Sequence, residues 1–177
     1  SIVVPPGVSV TESGALSGSV SFTINGGGTL TLDGNNSNSG TITVSAGTLR
    51  AGSGNAYGTG AITISSGAAL DLNGQTLSTA GALTLNGTGI NSGGALMNSG
   101  GAASYGGLLT LGSASSIVGG AGSIALSNTG ILTGATFGLT LGGAAGGSIF
   151  SIIGTTTGTL TKQDAGMAKI MVDGQPM

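Results

Sequence analysis

Five carboxylates (Glu12, Asp33, Asp71, Asp164 and Asp173), one arginine (Arg50) and two lysines (Lys162 and Lys169) make up the charged complement of this 177-residue chain, which has neither His nor Cys. Those residue types bound the chemistry. Without imidazole or thiol, Ser-His-Asp and Cys-His nucleophiles and His-based proton transfer are excluded. A Ser–Lys pair is the remaining nucleophilic arrangement, but no ordinary serine lies close in sequence to Lys162 or Lys169. Sugar cleavage needs two carboxyl groups roughly 5–9.5 Å apart beside a groove. Asp33 sits in a turn, and Asp71, between Leu70 and Leu72 in an alternating strand, is expected to point outward. On neighbouring coils of a repetitive fold the two would be able to pair across the surface with Arg50; the simpler expectation is a turn aspartate and two solvated side chains. Calcium-binding β-rolls repeat Gly-Gly-X-Gly-X-Asp, whereas Gly119-Gly120 and Gly142-Gly143 run on into Ala. The pairs Thr29/Thr31, Thr41/Thr43 and Thr159/Thr161 are of the kind that builds the flat threonine faces of ice-binding solenoids, yet they do not recur at one fixed period and are expected to be ordinary outward strand residues. Tyr57 and Tyr105, far apart in sequence, are expected to pack in turns rather than to stack on sugars. No catalytic, cofactor-binding or metal-binding residue is expected.

The elements that would position any site must be built from unusual material. Glycine supplies 39 residues, charged residues 5% and aromatic residues 3%, whereas hydrophobic residues reach 38% and the net charge is −2. Disorder needs low hydrophobicity and high charge, so this chain should fold. Collagen is excluded because glycine has no three-residue period and Pro occurs three times. The longest apolar runs, such as 149–153, fall far short of the roughly 20 residues of a membrane helix. Three Phe and two Tyr do not furnish the aromatic girdles of an outer-membrane barrel. Three scattered basic residues argue against nucleic acid. The start at Ser1 rather than Met suggests a processed or trimmed chain whose export signal, if any, has been removed.

Short alternating stretches run through the whole chain, at 19–24, 29–33, 41–44, 61–64, 68–72, 82–86, 108–111, 123–127, 139–141, 148–153, 158–162 and 168–172. Alternation of Leu, Ile or Val with Thr or Ser places the apolar residues on one face of a strand. Asn25-Gly26, Asp33-Gly34, Asn73-Gly74, Asn86-Gly87 and Asp173-Gly174 follow strands and supply the left-handed backbone of sharp corners. The strands are too short and the side chains too small for a two-sheet sandwich core about 10 Å thick. A narrow parallel coil suits them, and 28–34 returns in looser form at 67–74 and 81–87. With roughly 20–25 residues per turn, the chain would hold roughly seven to nine coils and form a rod about 35–45 Å long. Leu30, Leu32, Ile42, Val44, Ile62, Ile64, Leu70 and Leu72 are predicted to line its core.

The run Gly28-Thr29-Leu30-Thr31-Leu32-Asp33-Gly34-Asn35-Asn36, followed by Gly40-Thr41-Ile42-Thr43-Val44-Ser45-Ala46-Gly47-Thr48-Leu49, resembles the passenger-associated transport repeat of autotransporters. The likeness continues through Gly54-Asn55-Ala56-Tyr57-Gly58 to Ile64, so that 28–64 is the best match. A second, looser one covers 158–174, where Gly158-Thr159-Leu160-Thr161-Lys162 resembles the entry into such a repeat but Ala168-Lys169-Ile170 departs from it. The resemblance implies an all-β, right-handed parallel β-helix occupying 1–177 as a single segment of a large secreted or surface-displayed protein of a Gram-negative-type bacterium. Neither a translocator barrel nor a large activity-bearing loop is visible in the sequence.

These readings lead to a non-catalytic extracellular stalk serving adhesion or display, or alternatively a self-assembling filament subunit, with an ice- or polysaccharide-binding module behind both. Expected partners are more β-structure at the solenoid ends, either the rest of a longer chain or another copy of this one, and a surface glycan or host-cell component. Nucleic acid and membrane insertion of this segment are not expected. No cap is evident at either end, since Ser1-Ile2-Val3-Val4 begins as a strand and Ile170-Met171-Val172 closes in a short polar tail.

Overall fold

A computed structural model describes residues 1–164, 169–172 and 175–176, the last two stretches as backbone alone. The chain winds into an all-β solenoid of about 8 turns in which successive rungs pair in parallel. The first face stacks Ile2–Val3, Phe22–Asn25, Ile42–Val44, Ile62–Ile64, Leu83–Gly87, the start of Leu109–Gly119, Ile131–Thr133 and Ile152–Gly154. A second stacks Ser9–Glu12, Thr29–Leu32, Gly47–Ala51, Ala68–Asp71, Leu96–Asn98, the end of Leu109–Gly119, Leu139–Gly142 and Leu160–Lys162. The third face becomes a sheet at Thr76–Leu77 and continues through Ala103–Tyr105, Ile124–Leu126, Gly147–Ile149 and Lys169–Val172.

The inward columns follow from the alternation. Leu30, Leu32, Ile42, Val44, Ile62, Ile64, Leu70 and Leu72 are all buried, as predicted. Each rung lends its apolar side chains to the rungs above and below, so no coil has a core of its own. Where the third side lacks a strand, buried asparagine replaces it. The Asn36 amide accepts from the Leu16 N–H at 2.8 Å and donates to the Ala56 carbonyl at 2.6 Å, linking the coils on either side.

Three details differ from the sequence reading. The run 148–153 is two strands on different faces, because Ser151 is buried at a corner and donates to the Asn128 carbonyl one rung back at 2.7 Å. Asp33-Gly34 is a corner without a left-handed residue; Gly34 is required because a Cβ there would meet the Gly14 backbone. The last described pairing is antiparallel, Val172 opposite Gln175, so one edge of the final rung is covered. The Asp173-Gly174 turn and Ala165-Gly166 lie outside the described residues.

Candidate functional site

The densest polar cluster lies on the second face. Arg50 and Asp71 are register partners on adjacent rungs, both pointing outward from their strands. Arg50 Nε donates to Asp71 Oδ2 at 3.0 Å, and Arg50 Nη2 donates to Ser99 Oγ at 2.7 Å. Ser99 Oγ donates in turn to Asp71 Oδ2 at 2.6 Å, and the Ser99 and Asn73 N–H groups both donate to Asp71 Oδ1 at 3.0 Å. The expectation of a solvated Asp71 is therefore overturned. Its side chain is 4% exposed, while that of Arg50 is 39% exposed. The cause is the corner carrying Ser99, which folds over the carboxylate from the rung above. Four donors occupy about all the acceptor positions a carboxylate has. The arrangement holds three rungs together and leaves Asp71 no free position from which to serve as a base.

The remaining charged candidates are dispersed. Asp33 is exposed and lines a shallow polar groove of about 280 Å³ with Asn35, Ser53, Gly54, Asn55, Thr76 and Ser78. Asp71 is not among its lining residues, so the groove presents one carboxylate where glycoside hydrolysis needs two. Glu12 accepts from the Gly14 N–H at 2.8 Å, and Asp164 from the Gly143 N–H at 3.0 Å. Lys162 donates to the Asp164 carbonyl at 2.7 Å, away from any Ser–Lys geometry. Asp173 lies outside the described residues. Among the described residues, no three His, Cys, Asp or Glu side chains form a group able to hold a metal ion.

Tyr57 and Tyr105 are fully buried. Tyr57 donates to the Asp71 carbonyl at 2.9 Å, and Tyr105 to the Gly81 carbonyl at 2.8 Å. Burial pushes both phenols up, and the Asp71 carboxylate pushes Tyr57 up further. Neither ring is available to a sugar.

The threonines are arranged differently from the pairs read in the sequence. Thr23, Thr43, Thr63, Thr84, Thr110 and Thr133 are register partners one after another, forming a single outward column along the first face. Thr110 and Thr133 hydroxyls meet at 3.1 Å. The column was hidden because coil length varies, so the threonines do not share a sequence period. Its trace in the sequence is the strand motif Ile-Thr-Val, Ile-Thr-Ile, Leu-Thr-Leu, Leu-Thr-Leu, with Thr always between inward residues.

Fold and surface together define a parallel β-solenoid whose densest polar cluster ties rungs to each other. Residues 22–51, one and a half turns covering two strands on each of the first two faces, match the family described as passenger-associated-transport-repeat. No curated protein and no solved structure matches the chain. No helix among the described residues is long and apolar enough to cross a membrane.

Proposed function

We propose that this chain is a non-catalytic stalk segment of a secreted or surface-displayed autotransporter-like passenger, serving adhesion or display. The observation that carries the proposal is the continuous rung-on-rung parallel pairing of a solenoid whose second and third coils match the passenger repeat. The use of Asp71 and Arg50 as a clasp between rungs supports a structural rather than a chemical role. The test is to display the chain on a bacterial surface and measure attachment to host cells and to glycan-coated plates, alongside release of reducing or unsaturated sugar ends from a polysaccharide panel. Attachment without cleavage is expected, and cleavage lost in Asp33→Asn would overturn the reading.

One observation favours a filament subunit as the second reading. The first rung leaves an apolar mouth of about 390 Å³ lined by Ile2, Val10, Leu16, Phe22, Leu30 and Leu32, with Glu12 the one charged residue of its lining. Another rung of β-structure, from the same protein or a second copy, would fill it. Negative-stain microscopy separates the two readings, since isolated rods favour the stalk and regular fibres favour the subunit.

A further inference from the structure

Charge is segregated around the rod. Among the described residues, Glu12, Asp33, Arg50, Asp71, Lys162 and Asp164 all belong to second-face strands or the corners that follow them, and Lys169 belongs to a third-face strand. The first face carries no charge from its first rung to its last. Its central column is the threonine row. Beside that row runs an exposed column of Ser21, Thr41, Ala61, Ala82, Leu108 and Ile131, so hydroxyls and methyl groups share one surface.

From Thr23 to Thr110 the rung spacing of about 4.8 Å sets the spacing of the threonine positions, while at the end of the column the Thr110 and Thr133 hydroxyls lean together to 3.1 Å. In ice, neighbouring oxygens about 2.75 Å apart at tetrahedral angles place second-neighbour oxygens about 4.5 Å apart. The part of the column from Thr23 to Thr110 therefore repeats within about 0.3 Å per step of an ice oxygen row. Each hydroxyl can both donate and accept, as lattice water does. Methyl groups cover the ground between hydroxyls, and the absence of ions matters because a strongly hydrated charge would hold water in a geometry the lattice does not share.

The dimensions weigh against the other occupants. These two outward columns over six rungs offer on the order of 300 Å². A stable protein interface buries about 800 Å² on each partner, so a second copy would be held weakly. No aromatic ring stands in these two columns to stack on a glycan. We propose that the first face of this solenoid binds crystalline water, a role independent of the stalk reading.

The experiment measures ice recrystallisation and the uptake of the purified 177-residue chain into slowly grown ice. Wild type is compared with Thr63→Lys/Thr84→Lys on the first face and Thr48→Lys on the second, with circular dichroism confirming the fold of each. Wild type should restrain recrystallisation and enter the ice. The first-face double variant should need about tenfold more protein for the same restraint, and Thr48→Lys should match wild type. If the lysine pair does not fold, Thr63→Val/Thr84→Val keeps the shape, removes the hydroxyls and should also weaken the effect. The proposal is overturned if wild type leaves ice growth unchanged and is excluded from the crystal, or if the folded first-face variants equal wild type. It is also overturned if Thr48→Lys loses as much as they do, or if the face proves to hold a dimer that Thr63→Lys dissolves.

Discussion

At the scale of single residues, two aspartates with the same formal charge have opposite roles. Removing the Asp71 carboxylate leaves the Ser99 and Asn73 N–H groups without an acceptor and strands Arg50 beside an empty position. Because Arg50 is partly solvated and can turn to water, Asp71→Ala should cost about 3 kcal/mol rather than the upper end of the range for a buried pair. Asp33→Ala, at an exposed corner, should stay within about 0.5 kcal/mol. Urea unfolding of both variants checks the contrast, and equal midpoints would mean that the clasp does not hold rungs together. The tyrosines give a pH signature. Their folded-state values are raised above the ordinary one of about 10, so the unfolded chain loses phenol protons first as pH rises. The stability they confer is complete below about pH 10 and falls above it, by about 1.4 kcal/mol per pH unit for each phenol. Thermal melts between neutral pH and strongly alkaline conditions should show this decline, and Tyr57→Phe should roughly halve its slope.

At the scale of elements, the corners decide whether rungs can stack. Gly40, Gly60, Gly81 and Gly107 form a column at the entry to the first face, where a Cβ on Gly60 would run into the Gly40 carbonyl. The collision is with backbone, which has no rotamer by which to yield. Gly60→Ala should therefore cost about 3 kcal/mol or more, whereas alanine in an open strand position costs little. A midpoint shift no larger than that of Ala61→Ser, one residue away and exposed, would show that the rungs can part there. The inward columns were legible in the sequence because alternation has a fixed period of two, whatever the length of the coil. The corner glycines read as turn chemistry, but the column at Gly60 exists to admit a neighbouring backbone, which depends on the rung below and leaves no local mark. The same dependence hid the burial of Asp71, whose cover comes from Ser99 on the next coil, and the threonine row, whose members are spaced unevenly along the chain.

At the scale of the whole molecule, the two described ends of the solenoid differ. The last rung has an antiparallel strand on one edge, whereas the first leaves Leu30, Leu32 and Phe22 facing an apolar mouth. Val10 and Glu12 on the first rung pair with Leu30 and Leu32 on the second, so register places Glu12 on the side that points toward the core. An inward-pointing charge at a sheet end is a known means of opposing edge-to-edge association. A rung docking on the mouth would have to desolvate that carboxylate at a cost of several kcal/mol. Glu12 is thus proposed to hold self-stacking weak while the apolar lining favours it. Sedimentation velocity over a concentration series should show weak association of wild type and association at least about tenfold tighter for Glu12→Leu, which extends the leucine column into the mouth. Val20→Leu, an exposed apolar change outside the mouth, should leave association unchanged. If Glu12→Leu associates no more tightly than wild type at high concentration, the mouth is not a stacking surface and the filament reading goes with it.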